Sequence, residues 1–159
     1  MTRNNVLLLG LLIVLLIVAV LVMQKPGERS SSGETGVMLA VIDSLAVDKI
    51  EIETPVSTVV LQKNGVEWYL LKPVSYRADQ SVVAAFLHDN RSLEVKNVVS
   101  NKSEKHSLFQ VDSAGTRVKI FEKGIEKAAF VVGKPTSSYS EMYARRSGSN
   151  DVLIVSGAS

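Results

Sequence analysis

The hydrophobic residues of this chain follow two different patterns. Residues 6–23 form an unbroken apolar run, whereas from residue 37 onward apolar and polar residues alternate in short segments. As a helix, the run would extend about 27 Å, close to the roughly 30 Å hydrocarbon core of a bilayer. A cleaved signal peptide is the alternative, but residues 21–25 include no small residue of the kind found at cleavage sites. The pattern therefore predicts an uncleaved transmembrane helix over 6–23.

The flanks of this run predict the remaining organisation of the chain. Residues 1–5 form a short N-terminal tail, and residues 24–36 are polar and rich in Pro, Gly and Ser, which is typical of a flexible linker. Basic groups flank the run equally on both sides, so the positive-inside rule does not decide its orientation. A short tail, one span and a long following segment are typical of a signal anchor. We therefore expect a single-pass protein of the cell inner membrane, with residues 37–159 forming an extracytoplasmic domain.

The alternating segments predict β-strands, beginning with a hairpin. Residues 49–54 alternate strictly, so that Ile50 and Ile52 share one face. Residues 58–63 and 66–72 are rich in strand-forming residues and are separated by Asn64-Gly65, a pair that favours a type I′ turn. Pro73 has no amide hydrogen to donate and should end the second strand.

One helix and several further strands complete the predicted domain. Asp79 is a favourable N-cap for a helix over about 80–92, with Val82, Val83, Phe86 and Leu87 forming an apolar stripe. A short helical turn is expected within 101–107. The remaining strands are predicted at 94–100, 116–122, 127–132, 141–146 and 151–156. Many strands with one main helix predict an α+β domain with a mostly antiparallel sheet.

Composition and charge exclude several functional classes. Eighteen Lys and Arg residues against sixteen Asp and Glu give a net charge of +2, which is too balanced for a nucleic-acid-binding protein. The chain has no cysteine, so it has no disulfide, thiolate metal site or cysteine nucleophile.

No catalytic or metal-binding motif emerges from the polar residues. His88 and His106 lack the spacing of paired metal ligands, and the acidic residues within 43–53 fit the solvated face of a strand. Residues 133–136 resemble only the end of a phosphate-binding loop, and residues 137–140 lack a nucleophile elbow. The sequence therefore predicts no catalytic residue, no cofactor and no metal, and it favours a non-enzymatic protein.

Aromatic and arginine residues are the candidates for contact with a ligand or a partner. Trp68 is the single tryptophan, and its large apolar surface favours a place in the hydrophobic core, with a ligand-stacking role as the alternative. The candidate contact residues are Trp68, Tyr139, Tyr143 and Arg145, with Tyr69 and Arg146 nearby in sequence. They would form a binding groove only if they converge on one concave pocket.

Several short motifs, in a characteristic order, resemble the bacterial family called domain of unknown function 4340. They are DKIEI at 48–52, VVL at 59–61, NGVEWYLLKP at 64–73, RAD at 77–79, FVVG at 130–133, YAR at 143–145 and VLIV at 152–155. The resemblance covers roughly residues 37–156. One departure is His106-Ser-Leu-Phe109, where members commonly have a Tyr-Gly-Leu segment.

The resemblance implies a role beside other membrane proteins. Members of this family are typically one-span proteins encoded beside gliding-motility-type or auxiliary ABC-transporter components. It implies an accessory or interaction domain whose partners are the lipid bilayer, through residues 6–23, and an ABC-transporter component. It carries over no catalytic residue. Members often run longer than this chain, so we expect a short or truncated member. The alternative function is a ligand-binding or hydrolytic envelope domain with an aromatic and arginine-lined groove.

Overall fold

Ten strands and two α-helices make up residues 36–156, the part of the chain that the computed structural model describes. The strands are β1 (Met38–Val41), β2 (Val47–Glu53), β3 (Thr58–Asn64), β4 (Glu67–Lys72), β5 (Tyr76–Arg77), β6 (Ser92–Ser100), β7 (Thr116–Glu122), β8 (Ile125–Pro135), β9 (Met142–Arg146) and β10 (Val152–Ser156). The helices are α1 (Gln80–Asp89) and α2 (His106–Phe109), and a 3-10 turn, Ser103–Lys105, precedes α2.

All ten strands belong to one sheet, and every pair of neighbours is antiparallel. The strand order is β1-β6-β10-β9-β8-β7-β2-β3-β4-β5. Hairpins account for most of the pairs, but β2 joins β7, β1 joins β6 and β6 joins β10 across long stretches of sequence. The prediction of a mostly antiparallel, sheet-dominated fold is therefore confirmed.

The predicted β3–β4 hairpin is present, with its turn one residue later than expected. Asn64 pairs with Glu67, so Gly65 and Val66 are the two central residues. Of these only Gly65 has a positive φ, +63°, which is the pattern of a type II′ turn and not the predicted type I′. The type I′ pattern instead joins β7 and β8, where Lys123 and Gly124 both have positive φ values of 53° and 77°.

Helix α1 begins where its N-cap predicts and ends earlier than expected. The Asp79 carboxylate accepts hydrogen bonds from the amides of Ser81 and Val82, which would otherwise lack partners at the helix start. The helix ends at Asp89 because β6 already starts at Ser92. Its apolar stripe is also narrower than predicted: Val83 and Leu87 are buried, whereas Val82 is exposed.

The later strands match the sequence pattern closely. Strand β7 has the predicted bounds, and β9 and β10 each begin one residue later than expected. Strand β8 is longer than predicted, extending from Ile125 to Pro135. The predicted helical turn corresponds to the 3-10 turn and α2.

The two faces of the sheet carry separate hydrophobic clusters. The larger cluster joins α1, through Val83 and Leu87, to residues from β1 at one edge and from β4 near the other. On the opposite face, a smaller cluster contains Val111, Val131 and Val152, and Phe109 of α2 packs against it. The domain therefore consists of a sheet with α1 on one face and α2 on the other.

The membrane anchor predicted from the sequence lies outside the described residues. Within 36–156, neither α1 nor α2 is long and apolar enough to cross a bilayer. The predicted tail (residues 1–5) and anchor (residues 6–23) precede the described part of the chain. Of the predicted linker, residues 24–36, the description includes only residue 36.

Candidate functional site

A groove of about 370 Å³ lies between α1 and the β3–β4 hairpin, on the face of the sheet that packs against α1. We call it the α1 groove. Its lining includes four apolar and two basic side chains: Leu45, Val66, Trp68, Leu87, Lys63 and Arg91. Leu45 belongs to the loop between β1 and β2. This loop is fixed to the end of α1, because the amide of Ile42 donates to the Arg91 carbonyl and the Ser44 hydroxyl donates to the Leu87 carbonyl.

The floor of the α1 groove is apolar. Trp68 is only 6% exposed and belongs to the same hydrophobic cluster as Leu87. Lys63 pairs directly with Trp68 across β3 and β4, so both side chains lie on the same face of the sheet. The aliphatic part of the lysine can therefore lie along the indole while its ammonium group stays at the groove edge.

One side chain holds the groove wall in place at Trp68. The Gln80 carboxamide accepts a hydrogen bond from the Trp68 amide at 2.8 Å and donates one to the Trp68 carbonyl at 3.0 Å. It also donates to the Ala78 carbonyl at 2.7 Å. Strand β5 has only two residues and pairs with Tyr69 and Leu70, so Gln80 extends the pairing of β4 by one position. The first turn of α1 is thereby fixed to the sheet.

The charged groups along the groove are cationic. Lys63 and Arg91 line it, and no Asp or Glu does. His88 also lines the groove, with its Nδ1 3.3 Å from the Asp89 carboxylate. Within residues 36–156, neither Lys63 nor Arg91 forms an ion pair; the Lys63 ammonium is 3.5 Å from the Leu45 carbonyl oxygen.

Two apolar side chains project at the rim. Leu45 is 87% exposed and Val66 is 88% exposed, and both line the groove. Val66 occupies the second central position of the β3–β4 turn, where polar residues or glycine are usual. Exposed aliphatic residues at the rim of a groove are typical of a surface that a partner covers.

A separate charged cluster lies at the outer strands β4 and β5. The Tyr69 hydroxyl donates to the Glu67 carboxylate at 2.9 Å, and Arg77 forms an ion pair with the same carboxylate. The hydrogen bond from Tyr69 and the Arg77 contacts lower the pKa of Glu67, and the same Glu67 carboxylate raises the pKa of Tyr69. These side chains stabilise each other at the surface and take no part in the α1 groove.

The structure separates the contact residues that the sequence suggested. Trp68 lies on the α1 face, whereas Tyr143 packs in the cluster on the opposite face. Ala144 belongs to the Trp68 cluster, so Tyr143 and Arg145, its neighbours in β9, point to the other face. Tyr139 is 83% exposed in the loop between β8 and β9, with a positive φ of 59°. Within the described residues, the four side chains therefore do not surround one pocket.

Tyr143 and Arg145 instead hold α2 and the segment after it against the sheet. The Tyr143 ring lies 4.7 Å from the Phe109 ring between centroids. The Arg145 guanidinium donates to the carbonyl oxygens of Val111 at 2.9 Å and Ser149 at 3.0 Å. The neighbouring Arg146 donates to the Met38 carbonyl of β1.

Several groove residues have no signal in the sequence. From the sequence alone, Gln80 is an ordinary helix residue, and Lys63 and Arg91 are ordinary solvent-exposed charges. Val66, an apolar residue directly after Asn64-Gly65, is the exception, because a hairpin turn rarely places an aliphatic side chain at its tip. Trp68 was the one predicted contact residue that lines the groove.

Two of the acidic residues considered as a cation site carry counterions away from the groove, whereas Asp43 accepts a hydrogen bond from the Leu45 amide in the loop beside it. Glu51 pairs with Lys49 and Glu53 pairs with Arg117 on the face of the sheet away from α1. In the described part of the chain, no group of three or more His, Cys, Asp or Glu side chains is arranged to hold a metal ion.

The domain is a single antiparallel sheet with α1 and its groove on one face. Comparison with known proteins places the chain in a family. Residues 68–159 match the model of the family described as domain of unknown function (DUF4340). Because the match covers more than half of the chain, the protein belongs to this family. No curated protein and no solved structure is significantly similar to it. The match begins at Trp68, whereas β2, which pairs with β7 in the same sheet, precedes it.

Proposed function

We propose that this protein is a membrane-anchored, extracytoplasmic accessory domain that binds another envelope protein, such as a component of an ABC transporter. In this proposal, residues 6–23 anchor the chain in the inner membrane and residues 24–36 tether the domain that follows. The tether would span about 20 Å root-mean-square as a flexible chain. It would keep the domain at a high effective concentration near membrane partners.

The observation that carries the proposal is the exposed apolar rim of the α1 groove. Leu45 and Val66 are almost fully exposed beside a floor formed by Trp68 and Leu87. Single exposed aliphatic residues are common, but Leu45 and Val66 lie at the rim of one groove, beside a floor that is itself apolar and nearly buried. Burial of such a surface against a partner would release about 25 cal/mol per Å² of apolar area.

Site-specific crosslinking in cells tests this proposal. A photoactivatable phenylalanine analogue at Leu45 of the full chain should trap a membrane protein. The same analogue at Val56 is the matched control, because Val56 is 92% exposed but lies between β2 and β3, outside the groove lining. Equal crosslinking at both positions, or none at Leu45, would contradict the proposal.

Loss of the anchor gives a second test. Replacing residues 1–23 with a cleavable export signal should impair function in a complementation assay, because the released domain loses its proximity to membrane partners. Full function of the released domain would argue against the tethering role.

The second candidate function is a ligand-binding or hydrolytic domain. The groove volume of about 370 Å³ favours it, since small-molecule sites commonly measure about 300–1,000 Å³. Point variants outside the groove lining separate the candidates: under the interaction model, His106→Ala and Ser138→Ala should each retain function. Abolished function in one of these variants, with the fold intact by circular dichroism, would favour the hydrolytic candidate.

A further inference from the structure

We propose that the α1 groove binds an acidic amphipathic segment of the partner protein, with its carboxylates at Lys63 and Arg91 and its apolar side chains against the exposed Leu45 and Val66. This inference rests on the proposed function, which assigns the groove to a protein contact. It adds the chemistry of the segment that the groove recognises.

The charges on the two walls of the groove favour an anionic segment. Lys63 comes from β3 on one wall, and Arg91 comes from the end of α1 on the other. No carboxylate lines the groove, and within residues 36–156 neither cation has an ion-pair partner. Elsewhere on the sheet, Lys49, Lys96 and Arg117 each have an acidic neighbour. The groove lining is therefore locally cationic, because no carboxylate in it neutralises Lys63 or Arg91.

A ligand that carries only negative charge would leave the apolar surface between these cations uncovered. Leu45 and Val66 at the rim supply most of this exposed surface, because Trp68 and Leu87 in the floor are only 6% and 4% exposed. A small inorganic anion would neutralise Lys63 and Arg91 but leave this apolar surface in water. A segment with carboxylates on both sides of aliphatic or aromatic residues satisfies both requirements.

The shape of the surface favours a peptide over a lipid bilayer. The cations lie on opposite walls of a concave groove, whereas a bilayer presents a broad surface to projecting residues. Its volume of about 370 Å³ accommodates a few side chains of one peptide segment. A protein segment therefore fits the geometry, and an anionic membrane becomes an alternative outcome of the test.

Selection from a random peptide library tests the inference directly. The full chain in a neutral-lipid nanodisc serves as bait for displayed 12-residue peptides, and bound peptides are sequenced. The expected result is enrichment in Asp and Glu together with Leu, Phe or Ile. Absence of retained peptides, or enrichment without acidic residues, overturns the inference.

Charge reversal then assigns the selected peptides to the groove. Trp68 is the single tryptophan and lines the groove, so its fluorescence should change when a selected peptide binds. The Arg91→Glu variant should weaken binding by roughly tenfold, and Lys63→Glu should act in the same direction. Arg91 is exposed and its side chain makes no hydrogen bond in the described part of the chain, so this reversal should leave the fold intact. Lys102→Glu, at an exposed lysine outside the groove lining, is the matched control and should bind as the wild type does.

The remaining outcomes are also decisive. Equal affinity of wild type and Arg91→Glu, with unchanged circular dichroism, overturns the inference. Vesicles of phosphatidylcholine and phosphatidylglycerol that bind the chain and displace the peptides in an Arg91-dependent way also overturn it, in favour of a lipid surface. If crosslinking at Leu45 persists unchanged in Arg91→Glu, only the acidic character of the bound segment is refuted. If the otherwise wild-type chain gives no crosslink at Leu45, the proposed function itself is refuted.

Discussion

The Gln80 side chain hydrogen-bonds both backbone polar groups of Trp68, at 2.8 Å to the amide and 3.0 Å to the carbonyl oxygen. A carboxamide has the same donor and acceptor arrangement as a peptide group, so Gln80 takes the place of one residue of a neighbouring strand. This contact joins the N-terminal turn of α1 to β4 and holds Trp68 in place in the floor of the groove.

Removal of this carboxamide should destabilise the domain. In Gln80→Ala, the amide of the buried Trp68 loses its partner, whereas its carbonyl keeps the hydrogen bond from the Ala78 amide. The expected cost is about 1–3 kcal/mol of unfolding free energy. Urea unfolding of the full chain in detergent, followed by Trp68 fluorescence, measures this cost. Gln62→Ala is the matched control, because Gln62 is exposed and its side chain makes no hydrogen bond within the described residues. Equal stability of the two variants would contradict the role of Gln80.

Gly133 should tolerate no side chain. A Cβ at this position would lie 2.1 Å from the Phe109 carbonyl oxygen and 2.9 Å from the Val111 Cγ1, because the segment after α2 packs directly on β8. Gly133→Ala should therefore cost about 1–3 kcal/mol or more, and amide exchange near Val111 should accelerate. The control is Gly124→Ala, where a Cβ would meet nothing within 4 Å and only the positive φ opposes the change. A smaller loss at Gly133 than at Gly124 would refute the close approach.

Gly65 should be required for the conformation of the β3–β4 turn. Its φ of +63° is strained for a residue with a side chain, and most for a β-branched one. Gly65→Val should therefore lower stability by roughly 1–2 kcal/mol, and Gly65→Asn should lower it less, because Asn tolerates this region. Thermal unfolding of the full chain measures both, and similar melting temperatures for Val and Asn would contradict the turn assignment.

The N-cap of α1 should make stability depend on acid pH. Hydrogen bonds from the Ser81 hydroxyl and from the amides of Val82 and Ser81 lower the pKa of Asp79 below its ordinary value of 3.8. Because the folded pKa is the lower one, the ionised cap stabilises the fold fully above pH 3.8, and this stabilisation is lost as pH falls through the folded pKa. Asp79→Asn keeps a capping oxygen but cannot ionise, so its melting temperature should fall less over this interval. Parallel pH profiles of Asp79→Asn and wild type would exclude the effect, with Glu126→Gln, at an exposed carboxylate of β8, as control.

The apolar run at the N-terminus predicts an uncleaved anchor. Mass spectrometry of the membrane fraction should recover peptides that include residues 1–5, because residues 21–25 include no small residue of the kind found at cleavage sites. A mature N-terminus located after residue 23 would show instead that the run is a cleaved signal peptide.

The local elements of this domain follow from short-range chemistry, and the sequence predicts them well. Asp79 can accept from the first amides of a helix, so the start of α1 is visible in the sequence. Strand β7 has the predicted bounds because its apolar residues, Val118 and Ile120, alternate with Arg117, Lys119 and Phe121 on the other face. The β3–β4 hairpin likewise follows from its turn residues, with an error of one position in the turn.

The composition of the groove was decided by tertiary structure alone. Alternation tells which residues of one strand share a face, but it does not tell which face of the sheet they join, because that depends on pairing with distant strands. For this reason Trp68 and Tyr143 appeared in the sequence as candidates for one site, yet the sheet places them on opposite faces. Lys63 and Arg91 meet at one groove only because the β3–β4 hairpin lies beside the end of α1, an arrangement set by burial of the shared core and not by any local pattern.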